Sequence, residues 1–123
     1  ELYRRLLELD PSADVFDAYG TFLKMQMLDF KRSAEYYRMA VAKDPRNSDY
    51  HINYASLLLN DLRDYVTAKK ELEVIISLDP DNQNAKNNLA KLLKNHFDSK
   101  GELKKGFGQT EKDLIYDIQY LTS

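Results

Sequence analysis

The sequence predicts an all-α chain in which antiparallel helix pairs stack one after another. Three observations carry that expectation. A spacing of 35 residues recurs along most of the chain. Apolar residues fall at helical intervals between boundaries marked by proline. Four glycines among 123 residues are too few for the many tight turns of a β-sandwich.

The elements follow in order. Residues 1–11 read as the closing helix of a partial unit, with Tyr3, Leu6 and a closing Leu9-Asp10-Pro11. Residues 12–46 form the first complete unit. Phe16, Tyr19, Phe22 and Leu23 give one helix face, the pattern breaks near Leu28-Asp29, and Phe30, Ala34, Tyr37, Ala40 and Val41 give a second. Asp44-Pro45 closes it, because proline pushes its predecessor out of the α region and lacks an amide donor. Residues 47–81 repeat the scheme with Ile52, Ala55, Leu58 and Leu59, then Tyr65, Ala68, Leu72, Ile75 and Ile76, ending at Asp79-Pro80. The register is specific: Tyr19-Gly20 recurs as Tyr54-Ala55 and Leu89-Ala90, Asp29-Phe30 as Asp64-Tyr65, and Asp44-Pro45 as Asp79-Pro80. Small residues at Gly20, Ser33, Ala55, Ala68 and Ala90 allow paired helices to approach closely. Glycine inside a helix costs about 1 kcal/mol relative to alanine, so Gly20 is expected to answer a packing need.

The third unit starts normally at 82–97, with Ala85, Leu89, Leu92 and Leu93 on a seam amid Asn and Lys, the composition of a terminal unit. Three of the four glycines then fall at Gly101, Gly106 and Gly108, so residues 98–109 read as a basic, flexible connector. Thr110 resembles an N-cap for a C-terminal helix over 110–123 that carries Leu114, Ile115, Ile118 and Leu121. That helix is expected to cap the stack or to dock elsewhere, in the concave groove or on another chain.

These residues together resemble the tetratricopeptide repeat family. Phe16, Tyr19-Gly20, Leu23, Phe30, Ser33, Tyr37, Ala40 and Asp44-Pro45 fill its pattern, and His51, Tyr54-Ala55, Leu58, Tyr65, Ala68, Leu72, Ile75 and Asp79-Pro80 fill it more loosely. The likeness covers residues 1–97. Tyrosine before Gly20 also resembles the half-a-tetratricopeptide repeats of RNA-processing scaffolds, the runner-up. The first resemblance implies a right-handed α-α superhelix fragment that acts as a protein-interaction scaffold, with a structural segment for self-association or interdomain packing as the alternative; the runner-up implies an RNA-processing scaffold.

The resemblance also implies where a peptide or helix would bind. First helices line the concave side, which places Asp14, Asp17, Ala18, Thr21 and Lys24, then Asp49, Asn53, Ser56 and Asn60, then Asn84, Asn87, Asn88, Lys91 and Lys94 on that wall. Its charge runs from acidic to basic: residues 1–81 hold 11 basic and 15 acidic side chains, and residues 82–112 hold 7 and 3. Asn53 and Asn88 stand where family members repeat an asparagine that grips ligand backbone, and an amide both donates and accepts. The subtype that clamps the acidic C-termini of heat-shock chaperones is not expected, since Asp17 and Thr21 replace the Lys and Asn that it uses.

Other chemistries find little support. Hydrophobic residues at 43% and charged residues at 31% match a folded domain. Absence of cysteine removes disulfides, thiolate metal sites and cysteine nucleophiles. His51 and His96 lack the motifs of catalytic or metal histidines, so neither enzyme activity, nor a metal, nor a cofactor is expected. With 18 basic against 20 acidic residues, nucleic acid is a disfavoured partner. No apolar run reaches the roughly 20 residues of a membrane-spanning helix. The expected partner is another protein, with self-association through exposed ends as the alternative. The expected setting is cytoplasmic, with the nucleus left open. The chain begins inside a helical pattern without an initiator Met, which reads as a fragment of a longer protein.

Overall fold

The computed structural model describes residues 2–104. Six α-helices account for most of them: α1 Leu2–Leu9, α2 Ala13–Met25, α3 Phe30–Lys43, α4 Ser48–Leu57, α5 Tyr65–Leu78 and α6 Gln83–His96. A single π-helical turn, Leu58–Leu62, continues α4. The described part is thus all-helical and repeat-like. The expected C-terminal helix at 110–123 and residues 105–109 of the expected connector lie outside the described residues.

The helices begin where side chains satisfy their first amides. Ser12 accepts from Val15 N–H, Asp29 from Arg32 N–H, Asp64 from Thr67 N–H and Asn82 from Ala85 N–H. Ser12 therefore caps α2, and Asp14 lies in its first turn, where a carboxylate favours the helix dipole.

The 35-residue period extends to the backbone. Leu28 and Arg63 both adopt the left-handed conformation, at φ 51° and 53°. After each, an aspartate amide reaches back six residues: Asp29 N–H to Leu23 O and Asp64 N–H to Leu58 O, both 2.9 Å. Asp44 and Asp79, before the prolines, share φ −138° with ψ 77° and 84°.

Each helix packs on the next: α2 on α3, α3 on α4, α4 on α5 and α5 on α6. Gly20 explains how closely α2 meets α3. A Cβ there would lie 2.8 Å from the Tyr37 ring and 3.3 Å from the Ser33 carbonyl, and Ser33 Oγ donates to the Gly20 carbonyl at 2.7 Å. The larger core cluster gathers Ala34, Tyr37, Tyr54, Ala55, Leu57, Leu58, Ala68, Leu72, Ile75, Ala85, Leu92 and Phe97. Ala13, Phe16, Ala40 and Tyr50 form a second one.

Residues 98–104 differ from the flexible connector expected for them. Asp98 Oδ1 accepts from the amides of Lys100 and Glu102, Asp98 N–H donates to Glu102 O, and Gly101 supplies φ 82°. Phe97 and Leu103 face each other as an isolated bridge and pack on the core. Apolar anchors and an aspartate turn thus order a stretch whose composition reads as a linker.

Candidate functional site

The first helices of the units carry the expected wall, but the structure divides it in two. Between α2 and α4 the polar residues are engaged with one another. Tyr50 donates its hydroxyl to Asp14. Asn53 donates its amide to Asp17 Oδ1 at 3.0 Å and to Oδ2 at 3.2 Å. Thr21 Oγ1 and the Tyr37 hydroxyl share a 2.8 Å hydrogen bond, and Lys24 Nζ pairs with Asp61 Oδ2 at 3.6 Å. Asp49 lies in the first turn of α4, and Ala18 lines a separate hollow with Tyr3, Phe22 and Met25. Asn53, expected to grip a ligand, thus spends its donor on a neighbouring helix.

Between α4 and α6 the wall is open. Residues of α2 and α4 approach closely, whereas α6 meets α5 without a close backbone approach to α4. The gap is a groove of about 540 Å³, with Leu72 and Ile75 of α5 beneath and Ile52, Leu59 and Ala85 at its sides. Its polar lining is Ser56, Asn60, Asn82, Asn84, Asn87 and Asn88. A smaller hollow of about 200 Å³ shares Leu59, Asn60 and Asn88 with it and adds Tyr65, Lys91 and Asn95. The groove therefore joins five of the expected residues, Ser56, Asn60, Asn84, Asn87 and Asn88, and Lys91 lies just beyond. Asp14, Asp17, Thr21, Lys24 and Asn53 are not part of it.

Some of these amides are already used. Asn60 donates to Ser56 Oγ at 3.3 Å, Gln83 donates to Asn87 Oδ1 at 2.9 Å, and Asn82 caps α6. Asn84 and Asn88 are exposed and make no side-chain hydrogen bond among the described residues. They present a donor and an acceptor each to whatever enters. Sequence reasoning missed the roles of Ile52, Leu59, Asn82 and the π-helical turn. The run Leu57-Leu58-Leu59 is a signal for Leu59 alone, since three consecutive leucines cannot all face one core on a regular helix.

Electrostatics separate the two halves. Burial raises the Asp17 carboxyl above its ordinary pKa, opposed by the Asn53 hydrogen bond and reinforced by Asp14 and Asp49 nearby. The Tyr50 hydroxyl is pushed up to about 12, first by its bond to Asp14. The α2 side is thus an acidic, internally bonded patch, while the groove is lined by neutral amides and aliphatic carbons.

The histidines have structural surroundings. His51 is buried, with Nδ1 2.7 Å from Glu71 Oε1 and Nε2 2.8 Å from the Pro45 carbonyl, so it ties α4 to α5 and to the preceding loop. His96 stacks on Tyr65 with ring centroids 3.9 Å apart. Burial, then Lys104 and Arg63, holds its pKa below the ordinary imidazole value. Among the described residues no group of three or more His, Cys, Asp or Glu side chains is placed to hold a metal ion. No described helix is long and apolar enough to cross a membrane.

No protein-family model matches the chain, and no curated protein matches it.

Proposed function

We propose that the chain is a protein-interaction module of tetratricopeptide type that binds an extended peptide or a helix between α4 and α6. One observation carries the reading: a groove of about 540 Å³ with an aliphatic floor and a rim of amides, two of which make no side-chain hydrogen bond among the described residues. Such a surface suits a segment that buries an apolar side chain while its backbone meets the Asn84 and Asn88 amides. In this reading the module is not an enzyme, takes no cofactor and works in the cytoplasm.

Selection from a displayed random-peptide library on the full chain tests it. Peptides with an apolar residue flanked by short polar ones are expected to be enriched. The variant Asn84→Ala/Asn88→Ala is expected to lose them at least tenfold, about 1.4 kcal/mol. Enrichment that survives this variant, or none at all, contradicts the reading.

A structural role is the second reading, favoured by the apolar residues left outside: Leu2, Leu9, Met25, Met27 and Leu28 are all exposed near α1 and the α2–α3 turn. Light scattering separates the two, since a monomer across the micromolar range argues against self-association.

A further inference from the structure

The turn between α2 and α3 is apolar and open to solvent. Met25, Met27 and Leu28 are 63%, 60% and 69% exposed, three large apolar side chains within four residues. The fold does not require them. By the 35-residue register the turn after α4 carries Asn60, Leu62 and Arg63 at these places, and Leu62, the one apolar residue among them, packs on the core. Leu28 and Arg63 share the left-handed backbone, so the conformation is common to both turns and only the first puts an aliphatic side chain there. Single exposed apolar residues are ordinary, but a contiguous group marks a surface that meets something apolar.

The same end of the helices is basic. Helix α1 begins beside this turn: the Tyr3 ring lies 5.0 Å from that of Phe22, and Tyr3 lines one hollow with Phe22, Met25 and Gln26. Residues 2–5 and 24–32 together hold five cations and one acid, Asp29, which caps α3. Lys24 is paired with Asp61 and Arg32 lies 3.8 Å from Asp29, whereas Arg4, Arg5 and Lys31 are exposed and form no ion pair among the described residues. Leu2, 69% exposed, adds an apolar side chain to the rim. At the other end of the helices, residues 8–14, 43–49 and 78–82 hold seven acids and two cations. Charge therefore separates along the helices, with the apolar turn at the positive end.

We infer that this end docks on an anionic phospholipid surface, with Met27 and Leu28 entering the interface and Arg4, Arg5 and Lys31 meeting the headgroups. Charge complementarity decides the occupant. Apolar side chains that enter the acyl boundary, bordered by cations that meet anionic headgroups, are the two attractions that hold a peripheral protein on such a layer. The acidic end is repelled by the same surface, so the field presents the turn first. Contact of this kind needs no helix long enough to cross the bilayer, and none is present among the described residues. The inference concerns this end alone and does not depend on what binds in the groove between α4 and α6.

The chain contains no tryptophan, so Met27→Trp supplies a single fluorescent reporter. The full chain is sedimented with vesicles of phosphatidylcholine alone or with about one third phosphatidylserine. Binding to the mixed vesicles is expected to exceed binding to the neutral ones about tenfold and to weaken as salt is added. The Met27→Trp emission is expected to shift to the blue on the mixed vesicles. Met27→Asp/Leu28→Asp and Arg5→Glu/Lys31→Glu change exposed side chains and are expected to keep the helical circular dichroism. Each is expected to lower binding about tenfold, while Asn84→Ala/Asn88→Ala in the groove leaves it unaltered. No binding, equal binding to neutral vesicles, an unshifted emission, binding that survives either variant of the basic end, or binding lost with the groove variant each overturns the inference. So does a dimer that Met27→Asp/Leu28→Asp dissolves in light scattering without vesicles, since the turn would then serve a second copy of the chain.

Discussion

Gly20 shows how much a single atom decides. Alanine normally stabilises a helix interior by about 1 kcal/mol over glycine, but here the added methyl would press on the Tyr37 ring at 2.8 Å. Overpacking of that kind costs about 1–3 kcal/mol, so Gly20→Ala is expected to lower stability in urea unfolding rather than raise it. Leu28 and Arg63 present the reverse case. Both hold left-handed backbone at a cost of roughly 1–2 kcal/mol. Leu28→Gly, at an exposed side chain, is expected to raise the urea midpoint by an amount equivalent to about 1 kcal/mol. Asp17 adds a pH signature. Its carboxyl pKa is raised on folding, so the folded state holds the proton more tightly than the unfolded chain. Its contribution therefore favours folding in acid and turns unfavourable as pH rises through the folded-state pKa. Asn53→Ala removes the hydrogen bond that opposes this shift and is expected to raise the Asp17 pKa further. Carbon-detected carboxyl titration by NMR checks it, and an unchanged or lower value contradicts it.

At the scale of elements, the aspartates after the left-handed residues start the second helix of each pair. Asp29 accepts one bond, from Arg32 N–H, whereas Asp64 accepts from both Thr67 N–H and Thr67 Oγ1. Loss of an N-cap costs about 1 kcal/mol, and Asp64→Ala is expected to exceed Asp29→Ala in parallel urea titrations. Helix positions were legible in the sequence because period, proline and caps all agree: Asp44-Pro45 and Asp79-Pro80 mark the loops before α4 and α6, and Tyr19, Tyr37 and Tyr54 are buried as their spacing implies. The π-helical turn at Leu58–Leu62 was not legible. It matches Leu23–Met27 in register, yet that stretch is not π-helical, and no residue type in Leu58–Leu62 marks the difference. The packing of Phe97 and Leu103 on the core, on either side of the turn at residues 98–102, is likewise not legible, since local composition does not reveal the core that they reach.

For the whole molecule, the expected wall was half legible. Sequence register places Asp17 and Asn53 on neighbouring helices but cannot say that they bond to each other. Nor can it say that α6 stands away from α4, because that separation depends on how each of them packs on α5. The acidic, internally bonded α2 side should reject acidic ligands. A peptide ending in Glu-Glu-Val-Asp is expected to show no saturable binding by calorimetry, and tight binding would contradict the placement of Asp14 and Asp17. The most direct test of the groove is an NMR titration of the full chain with a library-selected peptide, following the side-chain amide signals. The account predicts that Asn84 and Asn88 shift with a common affinity while Asn53, held by Asp17, stays in place. Shifts centred on Asn53, with Asn84 and Asn88 silent, would contradict it.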